Sequence, residues 1–177
     1  MGLGNPGKRY AFTRHNLGFM CLDVLAQRQA ICLAHLQECR SEVGRKGELT
    51  LAKPLTFVNR SGVAVNLLMQ KLEIEPSDLL VIHDDLDLPL EKLRFKKGGS
   101  SAGHKGVESI IEALGTPEFL RLRLGVDRPS GDAVDYVLGE FLSYEKETVK
   151  EVVEYAAGAV EYMLAFGQDQ TMNKYNQ

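Results

Sequence analysis

Four positions in this chain carry side chains that could together attack a carbonyl with water. Asn5 lies in a Gly-rich turn, and His15 stands just before a helical run. Asn59 sits in the loop that follows Lys53-Pro54, and Asp84 and Asp85 follow the apolar run Leu79–Ile82 and His83. An imidazole that donates one N–H to a carboxylate is held in the tautomer whose other nitrogen can take a proton from water. Side-chain amides can donate to the carbonyl oxygen as it gains charge. The chemistry would be direct hydrolysis without a covalent intermediate. No G-x-S-x-G elbow is present, and no cysteine pairs persuasively with a histidine. Each position also has a plain structural role: His15 could cap a helix, Asp84 a turn, Asn59 could brace its loop and Asn5 could form an Asx-turn.

These groups need a scaffold that brings distant segments to one edge, and the periodicities supply one. Leu17, Met20, Cys21, Val24 and Leu25 recur at helical spacing, so a helix is expected over about 16–29. Leu49–Ala52 is a short strand expected to end before Pro54. Ser61 is placed to cap a helix through Val65, Leu68, Met69 and Leu72. The continuous run Leu79–Ile82 suits a strand buried on both faces. Val107–Leu114 reads as a helix closed by Gly115. Residues 119–126 alternate, with Leu120, Leu122, Leu124 and Val126 toward a core and Arg121 and Arg123 on the other face. A long helix follows over about 145–166, with Val149, Val152, Val153, Ala156, Val160 and Met163 as its apolar stripe. Strands separated by helices imply one α/β domain over residues 1–177, three layers α/β/α around a mixed, mainly parallel sheet. In open α/β sheets, sites form beyond the carboxyl ends of strands.

Gly2-Leu3-Gly4-Asn5-Pro6-Gly7 also fits the G-x-G-x-x-G pattern of dinucleotide sites. That reading needs a helix to start at once. Pro6 pushes Asn5 out of the helical region, and the helical period begins only near Asn16. A nicotinamide or flavin enzyme is therefore disfavoured, and no cofactor is expected.

Composition narrows the class further. Of 177 residues, 44% are hydrophobic and 25% charged, as in globular domains rather than disordered chains. Cys21, Cys32 and Cys39 are odd in number and lack a C-x-x-C pair, so reduced thiols are expected. The histidines make no H-x-x-x-H pair, which argues against a metal site. No apolar run approaches the ~18 residues of a membrane span, and no secretory signal opens the chain, so a cytoplasmic protein is expected. The net charge of −3 conceals an uneven distribution: residues 92–128 carry +4 and residues 129–177 carry −6. A local basic field can attract a polyanion even on an acidic protein.

The residues in these segments resemble bacterial peptidyl-tRNA hydrolases along almost the whole chain. The matching segments are Gly2–Gly7, Tyr10, Thr13-Arg14-His15-Asn16 with Gly18, and Lys53–Asn59 with Ser61-Gly62. They continue with Val81–Pro89, Gly98-Gly99, Gly103-His104-Lys105-Gly106, Arg121–Val126 and Met172-Asn173-Lys174.

The resemblance implies cleavage of the ester between a peptide and the 3′ ribose of tRNA, which recycles tRNA from peptides dropped by the ribosome. It makes His15 the general base, Asp84 its orienting carboxylate, and Asn5 the group that tells blocked peptidyl substrate from free aminoacyl-tRNA. It assigns Tyr10, Phe57 and Asn59 to the acceptor end and peptide, and Arg94, Lys96 and Arg123 to phosphates. It also implies a monomer. The chain departs from the family in two places. Lys105 stands where the family has Asn, so it adds a charge and lacks an acceptor; the expectation is either contact with the ribose or a phosphate, which is favoured, or a lowered activity. The family also has a few apolar strand residues before Gly2, and a weaker sheet is expected beneath Asn5. The competing reading is a non-catalytic RNA-binding module of the same fold.

Overall fold

A computed structural model describes residues 1–176. Its strands are β1 (Ala34–Leu36), β2 (Ser41–Lys46), β3 (Leu49–Pro54), β4 (Leu80–Asp85), β5 (Leu93–Lys97) and β6 (Leu120–Gly125). Its helices are α1 (Leu17–Arg28), α2 (Ser61–Leu72), α3 (Lys105–Leu114), α4 (Ala133–Leu138), α5 (Lys146–Phe166) and α6 (Gln168–Tyr175). The strands order as β1-β2-β3 and β4-β6-β5.

The first three residues join the two sheets. Gly2 N–H donates to the Ala52 carbonyl at 3.1 Å on β3, and Leu3 N–H donates to the Ile82 carbonyl at 2.9 Å on β4. Ile82 N–H returns a bond to the Met1 carbonyl at 2.8 Å. This short extended segment lies parallel to β4, and it places Asn5 directly beyond the sheet.

Helices cover both faces. On one face, Leu17, Leu22 and Leu25 of α1 and Val153, Ala156 and Val160 of α5 pack on Ile82, Phe95, Leu122 and Leu124. On the other, Val65 and Met69 of α2 and Val107 and Ile110 of α3 pack on Leu3, Val81 and Phe119. Each such buried Val, Leu, Ile, Met or Phe side chain contributes roughly 1.5–3 kcal/mol relative to exposure. β4 lies between these layers, which explains its unbroken apolar sequence.

The α/β class, the mixed sheet and the three layers agree with the sequence expectation; the balance of strand directions does not. Only β4–β6 is parallel among the named pairs, whereas β1–β2, β2–β3 and β5–β6 are antiparallel. Periodicity reports burial and is silent on direction. β3 runs through Pro54, which the final register position opposite Ser41 tolerates. Ser61 is the first helical residue rather than the cap, and its hydroxyl donates to the Val58 carbonyl at 2.7 Å. β4 continues through His83, Asp84 and Asp85, so these residues end the strand instead of following it.

One close approach fixes where α1 begins. A Cβ on Gly18 would lie 2.3 Å from the Ile82 carbonyl oxygen and 2.7 Å from the Leu3 backbone. Only glycine lets the helix start against the strand backbone here. The turn before α1, which carries His15, is thereby pressed onto the carboxyl end of β4, where Asp84 lies.

Candidate active site

His15 belongs to a short 3-10 turn, Arg14–Asn16, and its two neighbours anchor that turn. The Asn16 side chain accepts from Asn5 N–H at 2.8 Å and donates to the Asn5 carbonyl at 2.9 Å. It ties the Gly-rich turn to the His15 turn. On the other side, Arg14 is buried and donates to the Glu145 carboxylate and the Glu140 carbonyl, each at 2.7 Å. Its guanidinium also lies 4.2 Å from the Tyr136 ring centre and 5.0 Å from that of Phe141. A buried, doubly hydrogen-bonded cation of this kind positions the backbone strongly, because losing either partner would leave a charge desolvated.

Between these anchors, His15 Nδ1 donates to Asp84 Oδ1 at 2.8 Å. Asp84 Oδ1 also accepts from His104 Nε2 at 3.0 Å. His104 is the N-cap of α3, and its Nδ1 accepts from the Gly106 and Val107 N–H groups at 3.1 and 3.2 Å. Those two backbone donors fix His104 with its proton on Nε2, directed at Asp84. Nδ1 of His15 is thus committed, and Nε2 is the nitrogen left for the cavity that His15 lines.

The electrostatics follow from this geometry. Burial pulls the His15 imidazole down, but the Asp84 charge and hydrogen bond outweigh it, and the pKa lies above the ordinary 6.5. Burial pushes Asp84 up, yet His15 and His104 together hold it well below the usual carboxylate range. His83, stacked edge-on to His104 at 4.7 Å between ring centres, is driven down to about 3 by burial and then by His104. It is neutral, with Nδ1 donating to the Asp84 carbonyl at 2.6 Å. The site holds one firm carboxylate and one elevated imidazole, the arrangement expected of an oriented general base.

The cavity has a volume of about 780 Å³ and brings together Asn5, Tyr10, His15, Phe57, Asn59, Asp84 and Lys105. Asn5 Oδ1 accepts from Val58 N–H at 2.9 Å, which fixes the amide orientation and leaves Nδ2 as the donor end. Tyr10 and Phe57 meet edge to face with centroids 6.4 Å apart, and Phe57 is 55% exposed. The donor atoms of His15, Asp84 and His104 lie within 4.8 Å of one another, close enough for them to hold an ion. Their mutual hydrogen bonds account for that proximity.

The three phosphate candidates lie outside this cavity lining. Arg94 and Lys96 are exposed on β5, whereas Arg123 Nε is committed to Asp85 Oδ2 at 2.5 Å. Arg121 is also engaged: it is buried and holds the Ser100 and Gly99 carbonyls at 2.7 and 2.9 Å, where alternation alone had placed it beside Arg123 on an outer face. Lys105 lines the cavity, but its ammonium pairs with Glu108 at 2.8 Å on the surface of α3.

The sequence reading gave no role to His104, Arg14 or Asn16. For His104 a signal existed, since it directly precedes the helix that begins at Lys105. For Arg14 none did, because its partners lie 126 and 131 positions away.

The comparisons with known proteins agree on one family. The peptidyl-tRNA hydrolase family model matches residues 1–177. The chain is 46% identical over 182 residues to a peptidyl-tRNA hydrolase of Syntrophomonas wolfei, covering 99% of this chain and 98% of that protein. It is likewise 46% identical over 183 residues to a peptidyl-tRNA hydrolase of Chloroflexus aggregans, covering 99% and 97%. The crystal structure of peptidyl-tRNA hydrolase from Acinetobacter baumannii superposes with a TM-score of 0.93 at 34% identity, covering 99% of this chain and 92% of that one. The whole-chain match, and the same fold carrying the oriented His15, place the chain in the peptidyl-tRNA hydrolase family.

Proposed function

We propose that residues 1–177 act as one catalytic domain that hydrolyses the ester between a peptide and the 3′ ribose of tRNA. The observation that carries this reading is the 2.8 Å His15–Asp84 bond, which leaves the other imidazole nitrogen on a cavity wide enough for the ester. His15 Nε2 takes a proton from water as the water oxygen bonds to the ester carbonyl carbon. Asp84 stabilises the imidazolium that forms. The carbonyl oxygen gains charge and accepts from Asn5 Nδ2. Collapse breaks the bond to the ribose oxygen, and the imidazolium returns its proton there, releasing the free 3′ hydroxyl of tRNA and a peptide carboxylic acid that gives its remaining proton to solvent. Tyr10, Phe57 and Asn59 hold the acceptor end and peptide. The paired base speaks against the non-catalytic RNA-binding alternative.

No helix among the described residues is long and apolar enough to cross a membrane, and the proposed substrate belongs to the cytoplasm, where the protein works as a monomer. The test is hydrolysis of a defined peptidyl-tRNA beside its unblocked aminoacyl-tRNA. Rapid cleavage of the first and sparing of the second is expected; equal cleavage of both would remove the discriminating role of Asn5.

Two further expectations concern the cations. Binding of tRNA will weaken with salt, because each neutralised phosphate gives a log–log slope of roughly −0.7 to −0.9. Replacing Arg94 and Lys96 by Ser will make that slope shallower and raise KM more than it lowers kcat, since both are exposed. A titration of affinity against salt checks this, and an unchanged slope would make β5 an ordinary solvated edge. Arg123 is unsuited to the same test, because its loss would strand the buried Asp85.

For Lys105→Asn and Lys105→Met, kcat should stay within about twofold while KM rises modestly. The ammonium rests on Glu108, and an exposed pair of this kind is worth little by itself. A clear rise in kcat for Asn alone would show that the attacking water lacks an acceptor in this chain.

A further inference from the structure

A second cavity, of about 690 Å³, opens beside the catalytic one. Phe57 lines both, so its exposed ring forms the partition. The far walls come from two separate elements. Arg40 stands at the turn into β2, where its carbonyl accepts from the N–H of Leu55, another lining residue, at 2.7 Å. Arg60 stands at the start of α2, with its N–H on the Phe57 carbonyl at 2.8 Å. Both guanidiniums are exposed, and neither carries an ion pair among the described residues. The one carboxylate on the lining, Glu38, is engaged by Lys71 at 3.0 Å.

An aromatic face beside unpaired cations is the combination that binds single-stranded nucleic acid: bases stack and phosphates find charge. A peptide joined through its ester has no carboxylate at that end to engage two guanidiniums. The volume lies within the roughly 300–1,000 Å³ range of ligand sites. We propose that this cavity is a subsite for the unpaired nucleotides immediately 5′ of the reacting ribose, with one base on Phe57 and the adjoining phosphates on Arg40 and Arg60. The inference rests on the hydrolase reading above and extends it to a surface outside the catalytic cavity.

The test compares two substrates in the wild type and in the Arg40→Ser/Arg60→Ser double variant. One substrate is peptidyl-tRNA; the other is peptidyl-adenosine, which has the reacting ribose but no preceding nucleotide. For peptidyl-tRNA, KM should rise about tenfold or more with kcat unchanged, and the salt slope should become shallower by about 1.4, for two phosphates of a single strand. For peptidyl-adenosine, both constants should be the same in the two proteins. An unchanged KM for peptidyl-tRNA overturns the subsite, and an equal rise for both substrates assigns the cavity to the peptide instead. A wild type that cleaves neither substrate would defeat the hydrolase reading. The subsite would still be decided by titrating a single-stranded RNA trinucleotide: weaker binding to the double variant supports it, and equal binding overturns it.

Discussion

Replacing His15 by Ala will lower kcat for peptidyl-tRNA cleavage by about 10²–10⁴-fold, the usual contribution of a positioned general base, while tRNA affinity and the fold persist. His15 is 8% exposed, and Asp84 is its hydrogen-bond partner. Without the imidazole, Asp84 keeps the His104 Nε2 donor at 3.0 Å and is not left as a bare buried charge. The neighbouring anchors are untouched, since Arg14 is held by Glu145 and Asn16 by Asn5. The residues proposed to hold substrate, Tyr10, Phe57 and Asn59, lie elsewhere on the cavity wall, so binding has little reason to change. Rate measurements beside a tRNA titration and a thermal melt separate these effects. Near-normal turnover in the folded variant would remove His15 from the chemistry.

Asp84→Asn carries the second large effect. An amide oxygen can still accept from His15, but it supplies no charge to the imidazolium, and it must satisfy two N–H donors with a neutral group. A loss of about 10²–10⁴-fold in kcat is expected, by analogy with carboxylate-to-amide changes in other oriented histidines. The pH dependence gives a second readout with a definite sign. Burial alone lowers the His15 pKa, and Asp84 raises it above 6.5. In the variant burial prevails, so the limb on which activity rises must move to lower pH. Stability moves in the opposite sense to activity. The raised pKa of His15 contributes stability that is complete below 6.5 and is lost as pH rises through the folded value, where the neutral, active form takes over. A variant with the wild-type rate and limb would leave Asp84 as a structural carboxylate only.

How much of this was legible in the sequence depended on the distance over which each feature is determined. α1 and α5 were read within two residues of their bounds because their apolar stripes are local. β4 was legible as a doubly buried strand, although its polar end, His83-Asp84-Asp85, read as a loop because strands seldom end in buried charge. β2, Ser41–Lys46, is too polar to announce itself; it is a strand because β1 and β3 flank it. β5 was hidden inside the basic segment, with only Leu93 and Phe95 facing inward. Among the site residues, Asn5, His15, Asn59 and Asp84 drew notice by type and position, and family resemblance gave them roles. The bonds that hold them were not legible, because His15 and Asp84 lie 69 positions apart and Asn5 and Val58 lie 53 apart. Such pairings depend on how α1 crosses β4 over Gly18, which no local pattern encodes.

The most direct test of the central claim is kcat/KM of the wild-type protein on a defined peptidyl-tRNA, measured across the pH range around neutrality. A base that must be neutral, and whose pKa the Asp84 carboxylate holds above 6.5, predicts a rate that climbs along a single ionisation above that value and then levels. A rate independent of pH would contradict the assignment of the water-activating base to His15, whereas a limb below 6.5 would contradict only the upward pull of Asp84 on its pKa.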